Sequence, residues 1–186
     1  MDAIDALLHR TSSPLLKEPG PTSSELKTLL KAAMRAADHR MLKPWRFLII
    51  EGQGRNALGE LLAQAAQAKN PNIDAAGLEK ARNKPLRAPL IIVAIACLTE
   101  HAKVPAVEQL ITAGAAANNI VTAAFALDIG AYWRTGAPAY DDMVKAGLGL
   151  IENEQIIGFI YLGTPEGRSR RLPETDPSIW SRYWCG

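Results

Sequence analysis

Cysteine is scarce in this 186-residue chain: Cys97 and Cys185 are its only two, and they form no C-x-x-C pair. A disulfide framework is therefore excluded, and three isolated histidines add no ligand spacing that a zinc site would need. Net charge is equally sparse, at +2 from 21 basic against 19 acidic residues. Such a balance excludes a nucleic-acid footprint or a basic membrane patch, so electrostatics act locally. What is present, 48% hydrophobic and 22% charged residues, excludes disorder and collagen and fits an ordinary soluble domain. A chain of this length buries roughly 70% of its unfolded surface and needs no covalent staple. Cys97 lies in an apolar run, where a buried inert thiol is expected, and a reducing cytoplasm is the expected compartment.

The segment MDAIDALLHR is acidic and amphipathic and lacks the basic start and apolar stretch of a signal peptide, so export is not expected. Gln109 to Leu127 carries no charge and is nearly long enough to cross a bilayer. Polar residues at Gln109, Thr112, Asn118, Asn119 and Thr122 interrupt it, and alanine dominates the rest, so insertion is poorly driven.

Along the chain, Asp2 is placed to cap a helix with Ile4, Leu7 and Leu8 on one stripe. Thr22-Ser-Ser-Glu25 reads as a capping box, and Leu26, Leu29, Leu30, Ala33, Met34 and Ala37 follow at helical spacing. Phe47 to Ile50 reads as a strand closed by Gly52 and Gly54, followed by an alanine-rich helix to about Lys69. A short helix around Ala75 to Arg82, a buried strand from Leu90 to Leu98 and a strand from Gln155 to Leu162 complete the clearer elements. A short helix is expected from Tyr140. The long helix from Val107 to Leu127, uncharged from Gln109 onward, reads as apolar all round, which demands burial on every side and points to a subunit interface. No internal repeat or linker divides the chain, so residues 1–186 read as one domain with a C-terminal arm after about residue 168.

Two familiar site types fail on context. Gly52-Gln-Gly54-Arg-Asn-Ala57 matches G-x-G-x-x-A, with Asp74 some 20 residues on, but Asp74 opens a helix where a dinucleotide fold needs a strand. No G-x-S-x-G elbow supports a hydrolase, and Ser12 or Ser13 beside His9 is a loop coincidence. Three polar clusters remain where apolar elements end: Arg10-Thr11-Ser12, Arg35 with His39, and Trp133-Arg134-Thr135. Arginine forks beside hydroxyls and free backbone N–H groups suit a phosphate. Each also has a plainer reading: Arg10 as a helix-end charge, Arg35 and His39 as a solvated helical face at i and i+4, Trp133 as core.

Together, MDAIDALLHRTS, LLKAAMRAADHRMLKPWRFLIIEG, RAPLIIVAIA, the uncharged helix, GAYWRTGAP and QIIGFIYLGTPEG resemble the nitroreductase family of flavin enzymes, in its short subgroup. The resemblance implies an α+β fold, a mixed and mostly antiparallel sheet flanked by helices, in an intertwined homodimer with one FMN at each subunit interface. It implies that Arg10, Thr11 and Ser12 hold the flavin's phosphate and ribityl side, that Arg35 and His39 reach the same flavin from the other subunit, and that Trp133, Arg134 and Thr135 line it. The backbone near Thr135 and Gly136 is a candidate donor toward the flavin N5, and no side chain is expected to act as catalytic acid or base. Arg168, Arg170 and Arg171 are reserve phosphate ligands. The implied activity is NADH- or NADPH-dependent reduction of nitroaromatic or quinone-like acceptors by ping-pong transfer through the flavin. The alternatives are a non-enzymatic flavin binder of the same fold and an enzyme of this fold with another redox substrate.

Overall fold

The computed structural model describes residues 1–167 and 172–186, which leaves the Arg168, Arg170 and Arg171 expectation outside the described residues. Helix α1 (Ala3–His9) starts where sequence places it, because the Asp2 carboxylate accepts the N–H groups of Ile4 and Asp5 at 2.8 and 2.9 Å. Its apolar stripe is not buried by its own chain: Ile4, Leu7 and Leu8 are 61%, 62% and 67% exposed.

After strand β1 (Leu16–Lys17), helix α2 (Ser23–Ala33) opens on the full Thr22–Glu25 capping box. It stops earlier than the apolar spacing predicts. Arg35 and Ala36 already donate to carbonyls three residues back, Ala32 and Ala33, the tightening that ends a helix. Beyond it the Asp38 carboxylate accepts the N–H groups of Leu42 and Lys43 at 3.1 and 2.8 Å. Arg40, Met41 and Lys43 turn left-handed, at φ 65°, 53° and 50°. Arg35 and His39 thus share no helix face, which corrects the i, i+4 expectation.

Strand β2 (Trp45–Glu51), helices α3 (Gln53–Lys69) and α4 (Ala75–Arg82), strand β3 (Leu90–Cys97), helix α5 (Ala106–Ala126), strand β4 (Gly130–Arg134), helices α6 (Ala137–Tyr140) and α7 (Asp142–Gly147) and strand β5 (Glu154–Pro165) complete the architecture. The main sheet path runs β1-β5-β3-β2, with β4 also on β5. Every pairing in the described chain is antiparallel, and Asp74 caps α4 by accepting the Gly77 N–H at 2.7 Å, so the rejected dinucleotide motif stays rejected. Strand β3 reads as an unbroken apolar run because it is central and covered on both faces. Leu90, Ile92 and Ala94 pack with α2 and α5 on one side, while Ile91, Val93 and Ile95 pack with α3 and α7 on the other.

Helix α5 buries one stripe, with Ala116, Ala117, Ile120 and Ala124 against the sheet, but leaves Val107 and Ile111 58% and 67% exposed. Burial on every side is therefore not achieved within one chain.

At the far end of the sheet Arg46 bridges β2 to β5, its Nε and one terminal nitrogen each 2.6 Å from an oxygen of Glu154. Glu154 is only 8% exposed, and the Arg46 hydrogen bonds hold its carboxyl down at about 2. Cys97, whose Sγ lies 3.4 Å from Glu154 Oε1, is pushed up to about 11, first by burial and then by that carboxylate. An inert thiol results, as expected. Because the folded state lowers the Glu154 pKa, its stabilisation is complete above the unfolded value near 4.5 and is lost as pH falls toward 2. Glu154→Gln is expected to cost about 2–3 kcal/mol at pH 7 and to flatten the loss of stability across that window. Urea unfolding at stepped pH checks this; identical profiles for wild type and variant would refute it.

Candidate functional site

A cavity of about 410 Å³ opens at the C-terminal end of β4, beside α3 and α6. Among the described residues, three cations, Lys84, Arg87 and Arg134, line it and no carboxylate does. The Arg134 guanidinium lies 4.1 Å from the Tyr132 ring centroid and 5.4 Å from that of Tyr161. Aromatic faces hold a cation in place without neutralising it. The Arg134 Nε is buried and has no hydrogen-bond partner among the described residues, and a buried donor of this kind requires one. Tyr161 responds to the same environment: burial pushes its hydroxyl pKa up, opposed by the charges of Arg134 and Arg87. An uncompensated cationic pocket with an orphaned donor suits a ligand that carries or gains negative charge. Lys84 and Arg87 were not singled out from sequence. Their only signal was the basic run before β3, about 50 residues from Arg134.

Trp133 goes elsewhere. Side chains alternate along a strand, so Tyr132 and Arg134 face the cavity while Trp133, opposite Ile160 in β5, packs into the α2/α5 core. Its Nε1–H donates to the Ile157 carbonyl at 3.4 Å. A Cβ at Gly158 would overlap the indole, so glycine is required there. Thr135 and Gly136 do line the cavity, and Gly136 turns the chain into α6 at φ 75°, a conformation that favours glycine.

A second cavity of about 330 Å³ lies at the other end of β4 and takes in Thr11, Ser12 and Ser13. The Ser13 N–H donates to the Ala131 carbonyl at 2.9 Å, fixing this hydroxyl loop against the strand. Loop and cation cluster therefore mark the two ends of β4, roughly 10 Å apart at strand rise. Arg10 is the C-cap residue of α1 and makes no ion pair among the described residues. Two acids, Asp128 and Glu166, border the cavity, and Glu166 is 3.4 Å from the Lys17 ammonium.

Neither Arg35 nor His39 lines either cavity, and His39 stands far from the hydroxyl cavity. His39 Nδ1 is 2.7 Å from Glu108 Oε2, at the start of α5, whereas the hydroxyl cavity reaches Phe125 at its end. Seventeen residues of helix separate Glu108 from Phe125, roughly 26 Å at helical rise. Within one chain, most of α5 therefore separates His39 from the hydroxyl loop that follows Arg10.

The nitroreductase family profile matches residues 8–164. This chain belongs to the nitroreductase family. It is 41% identical over 185 residues to the Escherichia coli K12 protein named "Putative NAD(P)H nitroreductase YdjA", covering 99% of this chain and 100% of that one. The crystal structure of a nitroreductase-like protein from Bacillus cereus superposes with a TM-score of 0.83 at 20% identity, covering 100% and 97% of the two chains. A nitroreductase with bound FMN from Bacteroides fragilis superposes at 0.76 with 18% identity, covering 98% and 99%. At these identities the two structures show the nitroreductase fold, the α+β arrangement seen here. Among the described residues, this nitroreductase-family chain has no metal-binding cluster and no helix long and apolar enough to cross a membrane.

Proposed function

We propose that this chain is an FMN-dependent oxidoreductase, one 186-residue unit working as a cytoplasmic homodimer. It uses NADH or NADPH to reduce nitroaromatic or quinone-like acceptors. The observation that carries the reading is the pocket at the end of β4, where Arg134, Lys84 and Arg87 stand without a counter-charge and the Arg134 Nε lacks a partner.

These residues fit a flavin. When bound, FMN supplies the redox chemistry, accepting reducing equivalents from the nicotinamide donor and giving them up to the acceptor. Arg134, with Lys84 and Arg87, places positive charge where the ring system becomes negative on reduction. Thr135 and Gly136, which line the cavity, would offer backbone N–H groups to the bound flavin. Arg10, Thr11 and Ser12 hold the phosphate and ribityl side, and Arg35 and His39 of the second subunit close the site. Trp133, packed over Gly158, keeps β4 in register beneath these contacts. The exposed stripes of α1 and α5 are the surfaces a second copy covers.

Donor and acceptor using one site in turn give ping-pong kinetics. Purified protein loaded with FMN is expected to oxidise NADH or NADPH with a nitrofuran or a quinone, and double-reciprocal plots at several acceptor concentrations are expected to be parallel. FMN bound without turnover on either acceptor would refute this acceptor class and leave a flavin-binding protein or an enzyme of this fold with another redox substrate.

A further inference from the structure

The segment from Asp38 to Lys43 holds three non-glycine residues in the left-handed region, Arg40, Met41 and Lys43. Backbone in that state persists only where its surroundings enforce it, and such segments concentrate at functional sites. Two carboxylates do the enforcing here. Asp38 accepts the N–H groups of Leu42 and Lys43, and Glu108, from α5, meets the His39 ring at 2.7 Å.

The second contact has a chemical consequence beyond rigidity. A carboxylate only accepts, so the His39 Nδ1 donates and carries the proton. Nε2 is then left as the free polar atom of the ring. His101 provides the contrast within the same chain: its Nδ1 lies 3.1 Å from the Lys103 N–H and accepts from it, which puts the His101 proton on Nε2.

We infer that Glu108 is a positioning residue for His39, fixing its tautomer and ring orientation so that Nε2 faces the FMN held by the other subunit. The inference rests on the proposed role of His39 at that FMN. Glu108 also stands in the first turn of α5, where the helix dipole favours an acid with or without a histidine. The two roles differ in one respect: a purely helical Glu108 is indifferent to the loss of His39.

The test uses ¹⁵N-histidine NMR at alkaline pH together with FMN titration of the full-length apoprotein. The chain has only three histidines, His9, His39 and His101, so assignment by single replacement is direct. His39 is expected in the Nδ1–H form and His101 in the Nε2–H form. Glu108→Ala is expected to release His39 from the Nδ1–H form, whereas Glu108→Gln, whose carbonyl still accepts, retains it. His39→Ala and Glu108→Ala are each expected to weaken FMN binding about three- to tenfold, the scale of one hydrogen bond. Glu108→Gln stays close to wild type, and the Glu108→Ala, His39→Ala double variant binds no more weakly than His39→Ala alone. An Nε2–H His39 in wild type overturns the inference, as does equal damage by Glu108→Ala with and without His39. If His39→Ala weakens FMN binding and Glu108→Ala does not, Glu108 alone is misassigned. If His39→Ala has no effect, the role of His39 at the cofactor falls, and the inference falls with it.

Discussion

Arg134→Ala is expected to make the reduction potential of bound FMN more negative by roughly 20–45 mV while changing the affinity for oxidised FMN little. A unit charge about 5 Å from a forming charge is worth roughly 3 kcal/mol at an effective dielectric of 20. Arg134 is only half-buried, and Lys84 and Arg87 remain in the cavity, so about 1–2 kcal/mol is the fitting share. For a two-electron couple that converts to the stated shift. Carried fully into the barrier, it slows reduction by NADH or NADPH about 5- to 30-fold. Spectroelectrochemistry and stopped-flow reduction read the two effects separately. An unchanged potential would make Arg134 a packing residue held between Tyr132 and Tyr161. A large loss of oxidised-FMN affinity at constant potential would make it an anchor for the ligand's resting form.

The lower part of the fold was legible because single residues decide it. Thr22 and Glu25 satisfy each other's backbone N–H groups, and β3, an unbroken apolar run, is buried on both faces inside the sheet. The edges were harder to read. Gly130–Arg134 is short, begins on glycine and mixes an arginine with aromatics, so no period-2 signal separates it from a turn. Leu16–Lys17 is two residues long, too short for any pattern. The α2 apolar spacing runs on to Ala37, but Asp38 captures two N–H groups downstream and the chain turns left-handed, so local hydrogen bonding overrides periodicity.

The site divided in the same way. Thr11, Ser12, Arg134 and Thr135 fall on or beside β4 and line its two end cavities, while strand alternation turns the Trp133 side chain to the opposite face. That consequence follows once β4 is known to be a strand, and β4 was the element missed. Lys84 and Arg87 reach the cavity from the turn before β3, a proximity that only the tertiary fold creates. The separation of His39 from the hydroxyl loop by most of α5 was likewise invisible in a list of motifs, and under the proposed shared site it calls for a second chain.

That requirement has a direct measurement. Arg10→Ala, removing a charge-assisted phosphate contact, is expected to weaken FMN binding by about 1.5–3 kcal/mol, roughly 10- to 150-fold. Assayed near the wild-type FMN dissociation constant, Arg10→Ala homodimers are then nearly empty and His39→Ala homodimers hold roughly a fifth to a half of the wild-type FMN. Mixed dimers, formed by unfolding and refolding the two variants together, are the decisive species. With Arg10 from one chain and His39 from the other at each site, one site carries both lesions and the other carries neither. FMN occupancy and NAD(P)H oxidation of isolated mixed dimers are expected to rise to half the wild-type value. If both residues served the site of their own chain, each site would keep one lesion, and mixed dimers no better than the average of the two variants would contradict the shared site.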